Sequence, residues 1–103
     1  MRYDLDETWA LCIEFWEWAV AKWLEDKTLD VNDLKGEWFD MKGIEDIWGN
    51  CFFCHYAHDG CSTCPGRLVS RQFHCGHASY DYLFHPDKFL AKLKALNKKR
   101  LAK

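Results

Sequence analysis

Five cysteines stand in the middle of this chain: Cys51-x2-Cys54, Cys61-x2-Cys64 and then Cys75, with His55, His58, His74 and His77 among them. Two residues between thiolates let one tight turn present both sulfurs to the same ion, and two such pairs in series have the ligand spacing of a structural tetrahedral site. Thiolates are soft donors and Zn²⁺ accepts simple tetrahedral geometry, so zinc is the expected ion. All five clustered cysteines are candidate ligands, with Cys51 and Cys54 the firmest because a helical element is expected to end just before them. The other two ligands come from Cys61, Cys64, Cys75 or a histidine, and spacing alone does not choose among these. One ion held by both pairs requires a sharp return of the chain, for which Asp59-Gly60 is suitable turn chemistry. Using Cys64 and Cys75 closes a larger loop instead. A two-ion arrangement would draw on His58, His74 or His77 as well. An iron–sulfur cluster is the chemical rival, but the spacing does not match ferredoxin runs.

A catalytic zinc keeps one coordination position open beside a carboxylate or histidine. Here thiolates dominate, and Asp59 is the only acid between Cys51 and Cys75. No H-x-E with P-C-x-x-C, no G-x-S-x-G, no P-loop and no H-E-x-x-H occurs. The expectation is a closed structural centre in a protein that is not an enzyme. Cys12, the sixth cysteine, falls on the apolar face of a predicted helix and reads as a buried small hydrophobe.

The elements that must position these thiols are helical. Leu5 to Asp26 reads as a long helix. Trp9, Trp16 and Trp23 recur every seven residues, and Cys12, Ile13, Val20 and Leu24 fill the same face. Asp6 or Thr8 is a candidate N-cap, and the acids at its start suit the helix dipole. Leu11, Phe15 and Trp18 do not fit one stripe, which implies that the helix is covered on more than one side. A shorter helix is expected over Asp33 to Met41, capped by Asp30 or Asn32, and one further turn over Ile44 to Trp48. From Cys51 to about Phe84 the sequence suggests turns, with a short hairpin around Gly66 to Phe73. His85-Pro86-Asp87 opens a last helix, with Pro86 at a favourable first position and Phe89, Leu90, Leu93, Leu96 and Leu101 as its apolar stripe. The predicted fold is mainly α, with a small α+β arrangement as the variant, and with long N- and C-terminal helices around a loop-rich, metal-stabilised module. Residues 1–103 form a single domain: 1–49 helical and acidic, 50–84 the zinc-binding module, 85–103 a basic helix.

The net charge of −2 hides a polarity: residues 1–48 sum to −8 and residues 86–103 to +6. Such asymmetry bears on partners or on docking of the two ends, not on fold class. Aromatic residues make 17% of the chain, enough to give a small protein an unusually large core, with Trp9, Trp16 and Trp23 expected inside. No stretch approaches the ~20 apolar residues of a membrane span, and the acidic start is unlike a secretory signal. A cytoplasmic, reducing compartment is therefore expected, where clustered cysteines bind metal rather than form disulfides.

Asn50-Cys51-Phe52-Phe53-Cys54, Cys61-Ser62-Thr63-Cys64-Pro65, Cys75 and Tyr80, preceded by a Trp-rich amphipathic helix, resemble a group of short cysteine-rich zinc-binding proteins of bacteriophages and prophages. The resemblance implies a small zinc protein in the host-cell cytoplasm and supplies no catalytic residues. The leading functional expectation is a zinc-stabilised module that binds another protein, as a phage-encoded inhibitor or adaptor acting on a host protein. The alternative is nucleic-acid binding through the basic C-terminal helix with Arg67, Arg71 and His74. A third expectation is a homodimer in which the −8 and +6 regions pair between copies.

Overall fold

The computed structural model describes residues 4–43, 52–57, 64–73 and 79–102. Five helices lie within them: α1 (Leu5–Glu25), α2 (Val31–Lys42), α3 (Phe52–Ala57), α4 (Pro65–Val69) and α5 (Pro86–Leu101). The mainly α expectation holds. The α+β variant and the hairpin around Gly66 do not: the described residues contain no strand, and residues 65–69 are helical. Cys64-Pro65 explains the difference, since proline at a first helical position has the right φ and lacks an N–H that would go unpaired there. The turn expected over Ile44 to Trp48 lies outside the described residues.

The N-cap of α1 is Asp4 rather than Asp6 or Thr8. Its carboxylate accepts from the Glu7 N–H at 2.8 Å, and Glu7 Oε1 accepts in return from the Asp4 N–H at 3.3 Å, a reciprocal capping box. The helix ends at Asp26, whose carboxylate accepts from the Thr28 hydroxyl at 2.6 Å and its N–H at 3.0 Å. Those two bonds, the hydroxyl's first, hold the Asp26 carboxyl below its ordinary pKa. Asp30 then caps α2 by accepting from the Asn32 N–H, and Gly43 closes α2 in the left-handed region at φ 65°.

α1 is the spine, with α2, α3 and α5 packed on different sides of it, while α4 sits against α3 and α5. Ion pairs from Glu17 to Lys94 (3.1 Å) and from Asp6 to Arg100 (2.8 Å) show that α1 and α5 run antiparallel. They also show where much of the charge polarity goes: the acidic and basic ends of the sequence lie along each other within one chain. Coverage on more than one side is confirmed. Phe15, Trp16 and Trp9 are all buried, Phe15 edge-on to Trp38 of α2 at 5.5 Å and Trp16 edge-on to Phe89 of α5 at 5.0 Å. Cys12 is buried among them, as expected.

Trp23 departs from its expected place inside. It is only half-buried, with the Lys27 ammonium 5.2 Å from its ring, and its neighbour Leu24 is 56% exposed. Because Trp16 already meets Phe89, one turn into α5, the end of α1 runs on past the start of its partner. The heptad spacing continues where the opposing helix has stopped.

Lys35 of α2 is 8% exposed. Its ammonium lies 4.6 Å from the Tyr82 ring centre and 5.8 Å from that of Trp16, so two ring faces replace part of its hydration. This contact fastens α2 to α1 and to the turn that precedes α5.

Candidate metal centre

Cys54 lies in α3 and Cys64 directly precedes α4, the two shortest helices. The spacers of the first pair, Phe52 and Phe53, open α3, and each is 3% exposed. Phe52 meets Trp38 and Phe39 of α2 with ring centres 5.9 and 5.6 Å apart, while Phe53 meets Trp9 of α1 at 4.8 Å and Phe73 at 6.2 Å. Cys54 follows on the first turn of α3, where only its backbone is described. The two spacer residues of the first C-x2-C are thus both nailed to the core.

The second pair ends at the N-cap of α4. Cys64 is half-buried in extended conformation (φ −58°, ψ 132°), its carbonyl accepts from the Leu68 N–H at 3.0 Å, and Pro65 opens the helix. Gly66 fits only because it has no side chain: a Cβ there would lie 2.5 Å from Cδ2 of the buried Phe73. Phe73 in turn stacks on Tyr80 at 6.0 Å and contacts Phe89 of α5 at 6.0 Å. The α4 end of the module is therefore tied to α5 and, through Phe53, to α3.

Of the expected ligands, Cys51, Cys61 and Cys75 lie outside the described residues, as do His58, His74, His77 and the Asp59-Gly60 turn. Among the described residues no group of three or more His, Cys, Asp or Glu could hold an ion. The residues that are described fit a thiolate centre in one respect. Cys54 belongs to α3, Cys64 immediately precedes α4, and α3 packs against α4. One cysteine of each pair therefore belongs to, or directly precedes, one of two adjoining helices.

Sequence reasoning missed α3 and α4, and with them a shallow groove where α4 meets the start of α1 and the end of α5. Leu5, Val69, Leu68 and Leu101 line it, with Asp6 and Arg100 at its edge, around a space of about 420 Å³. Arg100 there spans three contacts: Asp6, the Asn97 side-chain oxygen at 3.0 Å, and the face of Trp9 at 5.3 Å. The Cys64-Pro65 step was the available signal for α4. No helix of the described residues is long and apolar enough to cross a membrane. No family model matches the chain, and neither does any curated protein or solved structure.

Proposed function

We propose that this chain is a zinc-stabilised protein-interaction module, of the kind a phage encodes as an inhibitor or adaptor of a host protein, acting in that cell's cytoplasm. The observation that supports it is the placement of one cysteine of each pair, Cys54 within α3 and Cys64 directly before α4, helices of 6 and 5 residues that pack together. Helices that short do not persist on propensity alone and need tertiary or covalent anchoring. Zinc, when bound by four of Cys51, Cys54, Cys61, Cys64 and Cys75, supplies a cross-link between them without opening a coordination position to substrate. The role of the ion is then architectural: it fixes surfaces rather than activating water.

The nucleic-acid alternative has less support. Lys94 and Arg100 of α5 are engaged by Glu17 and Asp6, and the apolar face of α5 is buried against α1, so fewer of its cations are available to phosphates.

The test is elemental analysis of the purified protein followed by chelation. Zinc bound stoichiometrically, with a lower melting temperature after removal by a strong chelator, is the expected result. Unchanged melting in chelator would end the structural-zinc reading. Affinity capture of zinc-loaded protein with a bacterial lysate tests the second half, and recovery of no stoichiometric host protein would remove it.

A further inference from the structure

The two flanks of α5 carry lysines in different electrostatic settings. On one flank Lys94 meets Glu17 of α1 at 3.1 Å, and Asp87, seven residues earlier, shares that side of the helix. Lys92 is two residues from Lys94, about 200° around the axis, and so lies on the opposite flank. Lys88 and Lys99, four residues before it and seven after, lie on the same side. That flank adjoins α4: the Lys92 ammonium stands 5.4 Å from the Tyr80 ring, Tyr80 stacks on Phe73, and Phe73 packs against Gly66. Arg67 follows Gly66 directly, and Arg71 precedes Phe73 by two residues. Among the described residues none of these five cations has a carboxylate partner. Asp81, the acid of the neighbouring turn, already accepts from the Leu83 and Phe84 N–H groups at 2.7 and 3.0 Å. The turn leading into α5 also holds Phe84 out at 71% exposure.

We propose that this α4–α5 face is where the protein partner docks, and that the partner presents an acidic surface with apolar side chains to cover Phe84. The inference rests on the interaction-module reading and adds the partner's chemistry to it. Charge complementarity selects an anionic partner. The extent of the face selects a protein over nucleic acid. Lys88 to Lys99 span about 16 Å of helix. Because α1 and α5 run antiparallel, acids bound both ends of that span. Asp4, Asp6 and Glu7 stand where α1 begins beside the end of α5, and Glu25 and Asp26 where α1 runs past its start. A polynucleotide carries its charge on beyond the cations and meets those carboxylates. An acidic patch on a folded protein ends where they begin.

Fluorescence anisotropy on the full chain, with its metal content measured, is the test. The acidic probe is a labelled peptide of about 16 residues, glutamate and leucine at helical spacing, and the rival probes are a single-stranded oligonucleotide and its duplex. The peptide should bind more tightly than either oligonucleotide and weaken as salt rises. Lys88→Glu combined with Lys99→Glu should weaken it about tenfold or more, and Phe84→Ala about fivefold. Lys94→Gln should change it little, since Glu17 already meets that charge. All four side chains are exposed, so helix content by circular dichroism should stay the same, and Arg71→Glu provides a variant outside α5 should that helix be disturbed. In affinity capture, a host protein held by the wild type should be lost by the Lys88→Glu, Lys99→Glu chain. Retention by both chains overturns this inference and leaves the interaction module standing, whereas capture by neither removes both. Tighter binding of an oligonucleotide, or an equal loss with Lys94→Gln, also overturns it.

Discussion

α1, α2 and α5, at 21, 12 and 16 residues, differ from α3 and α4 in how their positions are secured. α1 and α2 carry side-chain caps, Asp4 and Asp30, and Gly43 terminates α2; with α5 they meet over wide apolar faces, and Trp9, Trp16, Trp38 and Leu93 are almost wholly buried between them. The two short helices differ in having little length over which to bury a face. They are held by point anchors, Phe52, Phe53 and the Gly66–Phe73 contact. The lesson is that one small domain can combine a frame specified by periodicity with an insert specified by individual contacts. Perturbations should therefore separate the two.

Metal removal should separate them most. With zinc stripped, or with Cys54→Ser and Cys64→Ser combined, the melting temperature is expected to fall by about 10 °C or more. Far-ultraviolet circular dichroism should retain most helix while near-ultraviolet signals from the packed aromatics diminish; equal loss of both would erase the distinction. Next is Leu93→Ala in the frame, where a fully buried side chain meets the spine. Denaturant unfolding should show a loss of about 2–5 kcal/mol in one cooperative transition, with zinc stoichiometry unchanged in the folded fraction. Gly66→Ala comes third. The added methyl collides with a ring that is itself 2% exposed, so about 1–3 kcal/mol is expected, read as faster amide exchange in residues 65–73 than in α1. If exchange rises uniformly, the insert is not a separate unit. Asp4→Ala, which removes one side of the capping box, should cost about 1 kcal/mol and fray only the start of α1, visible in its first-turn amides.

The frame was readable because long helices repeat their signal. Tryptophans seven apart located α1, and Pro86 located the start of α5 to the residue. The α1 cap was also written in the chain, as Asp4-Leu5-Asp6-Glu7, but Asp6 and Thr8 have equally suitable side chains, and only the Glu7 return bond decides among them. Trp23 was misplaced because periodicity records one helix and not the length of its neighbour. α2 starts at Val31, two residues before the expected Asp33, since Asp30 rather than Asn32 supplies the cap. The insert was poorly readable for a different reason: 6 and 5 residues are too few for a period, and the partial alternation of Arg67 to Phe73 suits a strand as well as a helical turn followed by extended chain. Of the candidate site, the two sulfur-bearing segments proved attached to adjacent helices. Cys51, Cys61 and Cys75 lie outside the described residues, so the ligand set rests on spacing.

The lysines that lie over tryptophans have a consequence of another sort. Lys22, Lys27 and Lys42 follow Trp18, Trp23 and Trp38 at the same interval of four residues, with ammonium-to-ring distances of 5.8, 5.2 and 5.7 Å. Each ammonium stands over an indole ring while the lysine itself remains exposed, so its stem can cover apolar surface as its charge stays in water. A chain with this many large rings would otherwise present sticky rims wherever a tryptophan is only partly covered, as at Trp18 and Trp23. At Trp18 and Trp23 the lysines act as colloidal shields, setting a like charge over ring surface that the helices do not enclose.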